Sequence, residues 1–137
     1  AFTVHPLYER ETGTIRLQAA ELSRQSAPAF KLGPEDEVIE ASGLSAFYST
    51  GLHELLDRWE VRNLILFGVP TDGAVHATMR DANDRGFECL LLEDASAAYL
   101  PEHHEGIVRV TRFGNGLFGT TATTGAVLEA MGAQSPQ

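Results

Sequence analysis

The sequence predicts an α/β fold in which a parallel sheet carries helices on both faces. The run 61–69 (VRNLILFGV) is almost wholly apolar and too short for a typical helix, so it is interpreted as a strand buried on both faces. Residues 87–92 form a second buried strand, and residues 73–85 between the two are predicted to be a helix that Gly86 ends. Strands that alternate with helices are typical of a parallel sheet.

Length and composition set the class of protein. A chain of 137 residues fits one domain, 1–137, that is large enough to bury a core. With 10 Lys+Arg against 19 Asp+Glu the net charge is −9, which argues against nucleic-acid binding because a phosphate backbone favours clustered Arg and Lys. No apolar run approaches the roughly 20 residues needed to span a membrane. The single cysteine, Cys89, has no partner for an internal disulfide, which favours the reducing cytoplasm.

The other elements follow from spacing and from signals at their ends. Leucines recur at helical spacing in residues 51–59, which predicts a helix that Thr50 is placed to cap. Thr71 or Asp72 is placed to cap the helix at 73–85 in the same way. Six further elements are predicted: a strand at 2–4, a helix at 15–23, a short strand at 37–40, a helix beginning at Pro101, a last strand at 117–118 and a last helix at 125–131.

A candidate site follows from this topology. Ligands of an open parallel sheet bind beyond the carboxyl ends of the strands, where a strand leads into the next helix. The best such junction is 68–76 (GVPTDGAVH). A nucleophile at position 74 would lie on the first turn of a helix, where the helix dipole and backbone N–H groups stabilise an anion. The residue at that position is Ala74, which has no nucleophilic atom.

Four segments of the chain carry a resemblance to a known family. They are SAFYSTxL at 45–52, VRNLILxGVxT at 61–71, TMRDANDRG at 78–86 and DAxAA at 94–98. In this order and spacing they resemble the isochorismatase-like cysteine hydrolases, which use the α/β sheet predicted above. The segments 82–90, 99–102 and 116–119 are most similar to biuret hydrolase and related amidohydrolases, which implies small amides or ureides as the ligand class.

The resemblance implies a mechanism whose parts can be located here. The family uses a cysteine thiolate, a lysine that lowers its pKa and an aspartate that exchanges its proton; the thiolate attacks an amide carbon and water cleaves the acyl-enzyme. The cysteine position falls on Ala74 and the lysine position on Ala41. The aspartate belongs to a strand that would precede Ala1. The oxyanion hole uses the N–H groups of positions 74 and 70, and Pro70 has none. The resemblance also predicts that the Val69–Pro70 peptide bond is cis.

Several other residues are candidates to replace the family's catalytic groups. Cys89 lies within an apolar strand and is interpreted as structural. His76 and Asp72 lie near position 74 and could do acid/base work, although a capping aspartate beside a packed histidine is the favoured interpretation. His103 and His104 are adjacent on a helix and are expected to point to different faces, which argues against a metal site. No cofactor is expected. The predicted binding residues are Phe47, Pro70, Thr71, Ala74, His76 and Phe118.

Three hypotheses remain open. The first is a non-catalytic member of the family that acts as a binding or structural subunit. The second is a truncated or engineered inactive form of a cysteine amidohydrolase that cleaves C–N bonds of small amides or ureides. The third is an enzyme with its chemistry relocated to His76 and Asp72. In the family the first strand lies beside the one at 61–69. That first strand would precede Ala1, so this chain is expected to lack the first βα unit of the fold. A homo-oligomer, or a partner chain that completes the sheet, is therefore expected.

Overall fold

A computed structural model describes residues 37–132 of the chain, and strands alternate with helices along them. The predicted strand at 2–4 and helix at 15–23 lie outside the described residues. A short π-helical turn, Thr71–Val75, leads into the second helix. The elements in chain order are α1 (Leu52–Arg58), β1 (Asn63–Gly68), α2 (His76–Asp84), β2 (Glu88–Ser96), α3 (Pro101–Gly116), β3 (Thr120–Ala122) and α4 (Thr124–Ala130).

The three strands form one parallel sheet in the order β1-β2-β3. In its register Leu64 lies opposite Cys89, and Leu90 lies opposite Thr120. The prediction of a parallel α/β sheet is therefore confirmed. Among residues 37–132, no helix is long and apolar enough to cross a membrane.

The core fills the space between the sheet and helices α1, α2 and α3. Met79 of α2 and Leu91 of β2 are fully buried, and Leu56 of α1 is 2% exposed. The ring of Phe47 stacks on that of Phe87 at a centroid distance of 5.8 Å. The leucines of α1 that recur at helical spacing, Leu52, Leu55 and Leu56, are all buried, whereas Trp59 just beyond the helix is 41% exposed.

Strand β1 is less buried than the sequence predicts. The sequence predicts burial on both faces, yet the side chain of Ile65 is 47% exposed. The reason is its position, since β1 is an edge strand of the sheet that residues 37–132 form. A run that is apolar throughout does not by itself tell a central strand from an edge strand.

The last predicted strand also lies elsewhere. It occupies Thr120–Ala122 and not 117–118, and the chain leaves the regular helix before it, with left-handed φ values of 61° at Gly114 and 64° at Asn115. The predicted strand at 37–40 is reduced to a single bridge at Val38.

The predicted caps are corrected as well. Gly51, and not Thr50, is the N-cap of α1; the Thr50 hydroxyl instead donates to the Ala46 carbonyl at 2.6 Å and accepts from the Leu52 N–H at 3.3 Å. Neither Thr71 nor Asp72 caps a helix, because their side chains contact α3 as described below.

Candidate functional site

A tight turn follows the carboxyl end of β1, at the junction that the sequence singles out. The Val69–Pro70 peptide bond is cis, as predicted. The carbonyl of Pro70 accepts hydrogen bonds from the N–H groups of Gly73 at 3.2 Å and Val75 at 3.3 Å. A Cβ atom at Gly73 would come within 2.8 Å of the Pro70 ring, so only glycine permits this approach.

The turn is tied to the end of β2 by backbone hydrogen bonds. The Thr71 N–H donates to the Ala97 carbonyl at 2.9 Å, and the Ala97 N–H donates to the Gly68 carbonyl at 3.3 Å. Parallel strands bring their carboxyl ends to one edge of the sheet, so the segments that follow β1 and β2 meet there.

The two positions that the resemblance assigns to a cysteine and a lysine are both occupied by buried methyl groups. Ala74 lies in the turn and is 7% exposed, and Ala41 is 2% exposed. Neither side chain carries a polar atom. Pro70 has no N–H to offer an oxyanion.

Two histidines of the first turn of α3 hold the turn after β1. Nδ1 of His104 lies 2.9 Å from the hydroxyl oxygen of Thr71, and Nδ1 of His103 lies 2.8 Å from the Asp72 carboxylate. The two adjacent histidines therefore contact different residues of the turn. Thr71 and Asp72 are themselves consecutive and point in different directions, so each meets one histidine.

His76 is a buried structural group. It is 3% exposed, and its Nδ1 accepts a hydrogen bond from Nε of Arg80 at 3.0 Å. The proton therefore resides on Nε2, which lies 3.3 Å from the Thr111 hydroxyl. Burial, together with the smaller effect of the positive charge of Arg80, lowers the pKa of His76 from 6.5 to about 4. His76 is thus neutral at pH 7, and the His76–Asp72 pair that the sequence suggests is replaced by His103–Asp72.

The two predicted aromatic residues lie in packed surroundings. Phe118 meets the ring of His76 edge-on at 5.2 Å, and the guanidinium of Arg80 lies 4.3 Å above its face. Phe47 is 4% exposed and packs in the core. The structure brings Pro70, Thr71 and Ala74 together in one turn and places His76 against Phe118.

Cys89 lies in the core, as the sequence predicts. It is 4% exposed, and its Sγ lies 3.9 Å from the Met79 carbonyl oxygen. Burial raises the pKa of the thiol to about 11, with a smaller contribution from the charge of Glu88. Such a thiol is protonated at neutral pH and is a poor nucleophile.

The contacts of His103 and His104 with the turn are not predicted from the sequence. A signal was present, because Pro101 marks the start of a helix that follows the second strand of a parallel sheet. The first turn of that helix must lie at the same edge as the turn after β1. In residues 37–132, no three His, Cys, Asp or Glu side chains lie close enough to hold a metal ion.

Comparisons with known proteins agree with this architecture. A family model described as the isochorismatase domain matches residues 3–125. Nicotinamidase 3 of Arabidopsis thaliana is 37% identical over 82 residues, which are 60% of this chain and 41% of that protein. A ureidoacrylate amidohydrolase of Methylorubrum extorquens is 34% identical over 77 residues, 56% of this chain and 31% of that protein. The chain spans less than half the length of these curated relatives.

Solved structures show the same fold. A cysteine hydrolase from Pseudomonas syringae pv. phaseolicola superposes with a TM-score of 0.74 at 20% identity, over 96% of this chain and 71% of that one. These proteins support the family resemblance, whereas the narrower similarity to biuret hydrolase finds no support among them.

Proposed function

Because this chain belongs to the isochorismatase family, we propose that it is a non-catalytic member that acts as a binding or structural subunit. One observation carries the proposal. The only cysteine of the chain, Cys89, is buried with a raised pKa, while the family's nucleophile position holds the methyl group of Ala74. A thiolate mechanism needs an accessible, low-pKa sulfur at that position.

Three further features support the proposal. The position of the family's lysine is Ala41, and Lys31, the only lysine, lies outside the described residues. Pro70 removes one of the two N–H groups of the family's oxyanion hole. His76 is neutral, and both of its ring nitrogens have partners, so it is not free to act as a base toward a ligand.

A second candidate is an engineered, inactive form of a cysteine amidohydrolase. The presence of alanine at both family positions favours it, since alanine removes a side chain and leaves the backbone as it was. The named activities of the relatives, on nicotinamide and ureidoacrylate, suggest a small amide or ureide as the ligand class.

The two candidates are separated by returning the missing groups. Ammonia release from nicotinamide and from ureidoacrylate is measured for the unaltered chain, Ala74→Cys and the double variant Ala41→Lys/Ala74→Cys. Ala74→Ser is the matched control, because it adds a side chain of similar size without a thiol. Circular dichroism establishes that each variant is folded.

We expect no ammonia above background from any of these proteins, since Pro70 is unchanged and still offers no N–H to an oxyanion. Turnover by the double variant alone would favour the inactivated amidohydrolase. Turnover by the unaltered chain would overturn the proposal, and its loss in a His76→Gln variant that circular dichroism shows to be folded would then favour chemistry at His76.

We also propose that β1 pairs with a strand supplied by a second copy or by a partner chain, and that the protein works in the cytoplasm. The exposed apolar side chain of Ile65 on an edge strand supports the first statement. The lone thiol supports the second. Native mass spectrometry of the protein from its source distinguishes a homo-oligomer from a hetero-complex.

A further inference from the structure

A cleft of about 520 Å³ opens at the carboxyl end of β2, beside helix α3. Its volume is that of a small-molecule site, and its position is the edge of the sheet where ligands of parallel α/β folds bind. Charged side chains of both signs line it. They are Glu93, Asp94, Glu105, Arg109 and Arg112, and the imidazole of His104 lies beside them.

Two of the carboxylates in this cleft already have partners. Asp94 accepts hydrogen bonds from the N–H and the hydroxyl of Thr124, at 2.7 and 2.9 Å. Glu93 accepts from the Thr121 hydroxyl at 3.3 Å and lies 3.9 Å from the guanidinium of Arg112. These contacts hold Asp94 through Oδ1 and Glu93 through Oε2, which fixes both carboxylates in the wall of the cleft.

Two side chains of opposite charge in the cleft have no ion-pair partner among residues 37–132. Glu105 and Arg109 lie one turn apart on α3, with their Cβ atoms about 6 Å apart. Within residues 37–132 neither of them makes an ion pair. Nε2 of His104 is likewise without a partner in that range, while its Nδ1 contacts Thr71.

We propose that this cleft binds a small zwitterion, a molecule that carries a carboxylate and an ammonium group a few bonds apart. The carboxylate contacts Arg109, which provides the guanidinium geometry suited to it, and the ammonium contacts Glu105. A simple anion is disfavoured, because three carboxylates outnumber two guanidinium groups in the lining and the chain carries a net charge of −9. A ligand with both charges meets complementary groups and adds no net charge.

The cleft is connected to the turn after β1 through His104. This imidazole lines the cleft and contacts Thr71, the first residue of the turn, at 2.9 Å. A ligand that contacts His104 therefore changes the surroundings of Thr71. The inference does not depend on whether the chain is catalytic.

Amide NMR of the ¹⁵N-labelled full chain tests the proposal, with glycine, β-alanine and γ-aminobutyrate as probes of increasing charge separation. We expect saturable shifts in residues 104–112 and at Thr71 for at least one probe. Acetate and methylammonium, which carry one charge each, should give no saturation at the same concentrations. Arg109→Gln and Glu105→Gln should each weaken binding by about tenfold.

The chain offers a matched control. Glu54 and Arg58 have the same spacing and exposure on α1 but line no described cleft, so Glu54→Gln and Arg58→Gln should leave the affinity unchanged. All four side chains are exposed, and circular dichroism checks that the variants are folded. The proposal is overturned if no probe saturates, if acetate binds as well as the zwitterions, or if the α1 variants have the same effect as the α3 variants. None of these results bears on the ammonia-release experiment, so the two proposals fail separately.

Discussion

The imidazole of His76 is held by hydrogen bonds on both of its nitrogens. Arg80 donates to Nδ1, and Nε2 lies beside the Thr111 hydroxyl, which itself donates to the Ile107 carbonyl at 2.8 Å. Protonating Nδ1 would turn the acceptor into a second donor facing a guanidinium and would place a positive charge in the core. The lowered pKa of His76, about 4, is the consequence.

This pKa predicts how stability depends on pH. The unfolded imidazole binds a proton near pH 6.5 and the folded one only near pH 4, so the stabilisation is full above pH 6.5 and is lost as the pH falls toward 4. The loss is at most about 3 kcal/mol. Urea unfolding at pH 7, 5.5 and 4.5 should show a steeper loss for the unaltered chain than for His76→Gln, which cannot titrate. Parallel pH curves for the two proteins would contradict the burial of a neutral imidazole.

Cys89 gives a second prediction at this scale. Because its thiol is buried and its pKa is raised to about 11, a thiol reagent at pH 8 should react only when the chain opens. The labelling rate is expected to be at least about a hundredfold lower in buffer than in urea that unfolds the chain. Cys89→Ser provides the blank. Fast labelling of the folded chain would place a reactive thiol in the molecule and would weaken the proposal of a non-catalytic protein.

At the level of single residues, features set by a local segment or by the family resemblance are predictable, whereas contacts set by tertiary packing are not. The core position of Cys89 and the cis bond before Pro70 were predicted correctly, because each follows from the local segment or its resemblance. The contacts of Asp72 with His103 and of His76 with Thr111 were not, since each joins residues more than 30 positions apart in the chain. The choice between His103 and His76 depends on where α3 packs, which no local pattern records.

The segment that joins α3 to β3 requires a backbone conformation and a close contact that glycine permits. Gly119 has a φ of 126°, and a Cβ atom there would collide with the carbonyl group of Cys89 in the neighbouring strand. The Asn83 side chain donates to the Phe118 carbonyl at 2.8 Å and fixes the same segment against α2. The close approach of Gly119 to Cys89 determines where β3 begins. The strand predicted from the sequence lies on the apolar pair at 117–118, and the sequence pattern does not reveal this approach.

Two glycine substitutions test this interpretation. Gly119→Ala should lower the free energy of unfolding by about 2 kcal/mol or more, because the new methyl group meets backbone and the φ value is unfavourable. Gly106→Ala is the control: Gly106 lies within α3 with no atom within 4 Å of an added Cβ, so alanine should raise the stability by about 0.5–1 kcal/mol. Thermal and urea unfolding measure both. Similar effects from the two substitutions would show that the approach at Gly119 is not tight.

At the scale of the whole molecule, the order of elements was predictable and the environment of the sheet was not. Alternating strands and helices fix the parallel connection, since successive parallel strands need a crossover. Whether β1 is central or at an edge depends on what lies beside it, and an apolar run is compatible with both. The half-exposed Ile65 is the residue at which this difference is visible.

The exposed edge of β1 predicts that copies of the chain associate through this strand. Ile65→Lys places a charge on the exposed apolar position, and charged side chains on edge strands oppose pairing between sheets. If copies pair along β1, the variant should weaken the association by about tenfold or more, while Val110→Lys, at a position 38% exposed on α3, should not. Each copy carries a net charge of −9, so added salt should strengthen the association by screening the repulsion between copies. Native mass spectrometry and size-exclusion chromatography at two salt concentrations measure these effects. An oligomer that Ile65→Lys leaves intact would place the contact away from β1, and a monomer at both salt concentrations would leave the edge to a different partner chain.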